Sequence, residues 1–160
     1  MCFVLDVNSF HHVFDPNTAG HADFAPLLDW LYDHPRTSLV IGGTHYREEL
    51  GKLRKYLGKL VELKRARKLS EVLDKVVNAE EERLKDAVHQ KHFDDPHIVA
   101  LFCASGCLIF ASHDKRADPF IKMKALYPKG QRRPSIYRSA RHASSLLCDA
   151  NIVALRNTRR

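Results

Sequence analysis

The sequence predicts an α/β fold: a single three-layer domain with a central, mostly parallel sheet. Three observations predict it. Short continuous apolar runs of strand length recur along the 160 residues, and runs of that kind suit strands buried on both faces. Stretches with helical periodicity separate them. The resulting order, β-α-β-α-α-α-β-α with a short strand after it, is that of an open parallel sheet flanked by helices.

Taken in order, Cys2-Phe3-Val4-Leu5-Asp6-Val7 is the first strand and ends on an acid. Asp15-Pro16-Asn17 breaks the chain. Asp23 to Tyr32 is a helix with Phe24, Leu27, Leu28 and Leu31 on one face. Thr37 to Gly43 is a second strand closed by a glycine turn. One long helix is expected from Thr44 to Lys68, where Leu50, Leu53, Leu57, Leu60 and Val61 recur at helical spacing. Gly51 and Gly58 on it suggest a close packing contact. Ser70 is the expected N-cap of a further helix running to Val88.

Pro96 fits the first turn of a helix ending at Ser105, with Gly106 as its terminator. Cys107 to Ser112 is the next strand and delivers His113 and Asp114 at its carboxyl end. A helix from Asp118 to Leu126 and a strand at Ser135-Ile136-Tyr137 complete the body. The expected division is a domain over residues 1–140 and a basic C-terminal tail over 141–160.

Composition narrows the function classes. The apolar share of 44% and charged share of 28% are those of an ordinary globular domain. No apolar run approaches the roughly 20 residues of a membrane span, and the amino terminus lacks the pattern of a signal peptide; a cytoplasmic protein is expected. The four cysteines form no CxxC pair, and His11-His12, His89 and His92 lack matching soft ligands, so a dedicated zinc site is not expected. A net charge of +7 points to a polyanionic partner. Its carriers lie between Lys52 and Lys68 and from Lys122 onward, where acids are few.

Three acids share one kind of position. Asp6 ends the first strand, Asp114 follows a later one, and Asp95 stands before a helix. In open α/β sheets the functional crevice lies beyond the carboxyl ends of the strands, and right-handed crossovers would bring Asp6 and Asp114 to one edge. Carboxylates gathered so closely repel and raise one another's pKa unless a cation intervenes. Hard oxygen ligands suit Mg²⁺ or Mn²⁺, and such ions serve phosphodiester hydrolysis. Taken singly, each acid has a plainer reading: Asp6 and Asp95 as helix caps, Asp114 as a turn residue.

Asp6-Val7-Asn8, Asp95-Pro96-His97-Ile98-Val99-Ala100 and Ser112-His113-Asp114-Lys115 together resemble the three sequence blocks of PIN-domain nucleases, in the prokaryotic, toxin-like branch. The resemblance spans about residues 2 to 137. It implies a metal-dependent endoribonuclease in which Asp6, Asp95 and Asp114 bind Mg²⁺ or Mn²⁺, aided by a glutamate after the second strand. His45 occupies that glutamate's slot, and the nearest acids are Glu48 and Glu49. Glu48, three positions along the helix, is slightly preferred as the fourth catalytic acid; Glu49, His45 and Asn8 are expected to support the ligands. His113 replaces the usual asparagine of the closing block.

Lys52, Lys55, Lys59, Lys115, Arg132 and Arg133 are the expected phosphate contacts. RNA is the expected partner, and the resemblance adds an antitoxin protein and a homodimer. A structure-selective DNA nuclease would use the same acids, because phosphate contacts do not read the sugar. A non-catalytic RNA-binding scaffold of the same fold is the third reading, disfavoured because a scaffold has no need to crowd like charges.

Overall fold

The computed structural model describes residues 2–89 and 93–159; His92 and Arg160 lie outside them. The first strand, β1 (Cys2–Leu5), is buried at every position. A 3₁₀ turn over Val7–Ser9 leads into a short helix, α1 (Phe10–Phe14), which buries Phe10 and Val13. This helix is not among the sequence expectations, because five residues are too few to carry a period. Next come α2 (His21–Asp33) and β2 (Ser38–Gly42), both close to their expected bounds.

The expected helix from Thr44 to Lys68 is two helices, α3 (Thr44–Lys52) and α4 (Leu57–Arg65), joined by a 3₁₀ turn over Arg54–Tyr56. Leu53 leaves helical geometry with ψ of 57°. Gly51 and Gly58 flank this break and face open space, not a packing partner, so the expected close contact is absent. Each exposed glycine costs a helix about 1 kcal/mol relative to alanine. Arg67, with φ of 57°, then stops α4.

A second correction follows at once. Ser70 caps no helix; it lies in a strand, β3 (Leu69–Val72), where its hydroxyl meets that of Ser38 on β2 at 2.7 Å. A half-exposed four-residue strand containing Ser and Glu gives little hydrophobic signal. The helix begins only at Asp74, as α5 (Asp74–Ala87). All ten residues of α6 (Pro96–Ser105) are buried; Pro96 stands in its first turn and Gly106, at φ 74°, ends it in the left-handed region. Then follow β4 (Ile109–Ala111), the single-turn helix α7 (Asp118–Ile121), a 3₁₀ turn over Lys124–Leu126, and β5 (Ser135–Tyr137).

All five strands are parallel, in the order β3-β2-β1-β4-β5, so the fold is a three-layer α/β domain. The chain builds outward from β1 through β2 to β3, then returns and builds the other way. The order therefore reverses between β1 and β4, where Leu5 lies beside Ala111 and the Asp6 N–H donates to the Ala111 carbonyl at 2.9 Å. Phe3, Leu5, Leu39, Phe102 and Phe110 are fully enclosed in the core around these strands, each contributing about 1.5–3 kcal/mol by burial.

Residues beyond 140 are not a separate tail. A helical turn, α8 (Ala143–Leu146), and a 3₁₀ turn over Asp149–Asn151 lead back across the body. The Arg156 guanidinium donates to the Cys103 carbonyl and Asn157 to that of Ala104, both at the end of α6. Thr158 pairs with Val72 of β3 in an antiparallel bridge. Basic composition suggested a solvated tail, but these bonds make the segment part of the fold.

Candidate active site

The corner between β1 and β4 is built around Ser112. Its hydroxyl donates to Asp6 Oδ2 at 2.7 Å and accepts the Asp114 backbone N–H at 3.0 Å. Asp6 Oδ1 accepts the Asn8 N–H at 3.1 Å, capping the 3₁₀ turn. The capping role expected of a lone Asp6 is thus real, yet its second oxygen is drawn towards the other acids. Arg138 braces the same corner, donating to the carbonyls of Ser112 and Asp114 while Asp118 holds it at 2.6 Å. Asp114 pairs with Arg116 through Nε at 2.7 Å and Nη2 at 2.5 Å.

Two helices complete the cluster. Tyr46 on α3 is fully buried and donates its hydroxyl to the Leu5 carbonyl, tying that helix to the residue before Asp6. One turn's register then sets Glu49, whose Oε2 lies 3.1 Å from His97 Nε2 on α6. Asp95 precedes α6 and makes no side-chain capping bond, so its carboxyl remains available to the corner.

The acids of the corner influence one another in pairs. Burial pushes the Asp6 carboxyl up, against the pull of the Ser112 and Asn8 bonds, and repulsion from Asp114 and Glu49 adds to the rise. Burial likewise raises Asp95, with His97 opposing and Asp6 and Glu49 reinforcing. Glu49 is held below its usual range, chiefly by the His97 bond, and Asp114 by its bonds to Arg116. Among the described residues neither Asp6 nor Asp95 has an ion pair. Hard carboxylate oxygens are the kind of ligand that Mg²⁺ or Mn²⁺ takes.

Asp6 thus feels Asp114 and Glu49, and Asp95 feels Asp6 and Glu49, but among the described residues Asp6, Asp95 and Asp114 do not form a group with ligand atoms within 4.8 Å of one another. Glu48, the expected fourth acid, and Glu49 have different surroundings. Glu48 is exposed beside Thr44, Asn78 and Glu81, whereas Glu49 is the acid coupled to Asp6 and Asp95. A helix that starts at Thr44 turns position 49, four beyond His45, back over the same face. Asn8 supports Asp6 by its backbone, while its exposed side chain borders a groove with His11, His113 and Lys115.

The cations divide differently from expectation. Lys55 is paired with Asp15 at 2.6 Å and Lys59 with Glu62 at 2.5 Å; Lys52 is exposed near Glu49. Arg132 and Arg133 line an open groove of about 970 Å³ with Lys122, Lys124 and Lys129. Ser112, Arg116, Tyr46 and Arg138 are not among the sequence-predicted site residues. Only Ser112, inside the closing block, carried a signal of its own.

Comparison with protein-family profiles, curated proteins and solved structures finds no match in any of the three.

Proposed function

We propose that this chain is a metal-dependent nuclease of PIN type, with RNA as its substrate. The observation that carries the reading is the pairwise coupling of Asp6 with Asp114 and Glu49, and of Asp95 with Asp6 and Glu49, beside the point where strand order reverses. That is where open parallel sheets bind their ligands. In this reading Asp6, Asp95 and Asp114 hold Mg²⁺ or Mn²⁺, with Glu49 in place of Glu48 as the fourth acid. When bound, the ion supplies positive charge for activating water and for stabilising the leaving oxygen of a phosphodiester.

The chain's own residues have separable tasks. Ser112 fixes Asp6 Oδ2, and Arg138 holds the backbone that carries Asp114. Exposed Arg116 has five donors for a phosphate once an ion takes over Asp114. The groove of Lys122, Lys124, Lys129, Arg132 and Arg133 offers a track for the rest of a polyanion. The test is incubation with labelled RNA and single-stranded DNA, with Mn²⁺ or with chelator. Metal-dependent RNA cutting that Asp95→Asn abolishes supports the reading. Cutting of DNA alone favours the DNA nuclease, and binding without cutting favours a scaffold. A toxin role predicts growth arrest on expression, relieved by a neighbouring gene.

A further inference from the structure

Beside the carboxylates lies a group that oxygen-ligand chemistry does not explain. His45 and Glu49 stand one turn apart on α3, and His97 reaches them from α6. One ligand atom from each lies within 4.8 Å of the others. His45 Nε2 is 3.6 Å from Glu49 Oε1, and His97 Nε2 is 3.1 Å from Glu49 Oε2. The two imidazole centroids are 4.0 Å apart. Two ligand atoms on a tetrahedral ion, each roughly 2.0–2.1 Å from it, stand about 3.4 Å from one another. The two observed separations, one to each Glu49 oxygen, lie on either side of that value.

A second observation fixes the chemistry of His45. Its Nδ1 lies 3.2 Å from Glu81 Oε1 on α5, a carboxylate with only 6% of its side chain exposed. That contact engages the Nδ1 nitrogen of the ring. The other ring nitrogen, Nε2, is left facing the Glu49 oxygen at 3.6 Å, beyond hydrogen-bond distance. A carboxylate holding the far nitrogen of a histidine is the usual support of a metal ligand.

We propose that His45, Glu49 and His97 form a binding site for a zinc-class transition ion, with Glu81 as the positioning residue for His45. Two nitrogens and one carboxylate with an open fourth position are a donor set zinc favours and Mg²⁺ does not. The Cys/His spacing argument against zinc therefore misses this site, because its ligands come from two helices distant in sequence. The proposal does not rest on the nuclease reading, although Glu49 is common to both.

Zinc titration by calorimetry, and the visible spectrum of the Co²⁺ form, test it on untagged, chelator-stripped protein with Mg²⁺ in excess. One zinc per chain is expected, undisturbed by Mg²⁺ and retained in Asp114→Asn. His45→Ala, at a side chain 42% exposed, should abolish binding with folding intact by circular dichroism. Glu81→Gln should weaken it about 10–100-fold. Failure to bind zinc, or zinc kept by His45→Ala, overturns the site. Loss of zinc in Asp114→Asn with retention in His45→Ala would assign the ion to the carboxylates instead. Cleavage lost in Asp95→Asn but zinc kept would separate the two readings.

Discussion

Ser112 and Asp6 are joined by a 2.7 Å hydrogen bond across the junction of β1 and β4, and that bond pulls the Asp6 carboxyl down against its burial. Ser112→Ala should therefore raise the Asp6 pKa further and move the acid limb of the cleavage profile to higher pH. It also strands the Asp114 N–H. A loss of about 1.5–3 kcal/mol is expected in denaturant unfolding, the scale for hydrogen bonds to charged groups. An unmoved acid limb would show that Asp6 does not govern the rate.

Asp95 gives a stability prediction of unusual sign. Its carboxyl is raised in the folded state, so the unfolded chain deprotonates first as pH climbs. Stability falls between the unfolded value, near 3.9, and the raised folded one, and stays lower above it. In chelator, Asp95→Asn should thus melt at higher temperature than wild type at neutral pH, by up to a few degrees. The advantage should vanish below the unfolded pKa. Scanning calorimetry at several pH values checks it.

Glu49 and Glu48 are adjacent in sequence and differ in surroundings. Glu49→Gln should lower cleavage by about 100-fold or more, the scale of a lost catalytic carboxylate, while Glu48→Gln should stay near wild type. Equal losses would mean that the coupling of Glu49 to Asp6 and Asp95 has no catalytic meaning.

The basic surface is testable by salt. Lys124→Ala and Lys129→Ala should each shallow the slope of log affinity against log salt for single-stranded RNA by about 0.7. Lys55 and Lys59, already paired with Asp15 and Glu62, should contribute less. The reverse order would return the nucleic-acid track to α3 and α4.

Sequence reading succeeded where one residue's position settles its surroundings. Pro96 and Gly106 bracket α6 because each permits a single role there, and Asp6 and Asp114 follow strands whose runs are apolar throughout. It failed where the answer depends on partners far along the chain. The helical spacing from His45 favours Glu49 only weakly over Glu48; the decisive partner is His97, 48 residues later. Nothing near Leu69 announces a strand, since its pairing energy comes from β2. Residues 141–159 looked like tail because basic composition says nothing of backbone carbonyls waiting at the end of α6.

That last segment has a consequence for colloidal behaviour. β3 is an outermost strand of the sheet, and an uncovered edge is a template for another molecule's backbone. Here the Asn157 carbonyl accepts the Leu73 N–H at 2.8 Å, and the Arg159 N–H donates to the Glu71 carbonyl at 2.7 Å. The chain thus occupies with its own residues the groups through which molecules would stack. A proteolytic nick before Arg156 should leave the acid corner, two strands away, chemically competent for a time. The first symptom should be turbidity that grows with concentration, as sheets join edge to edge.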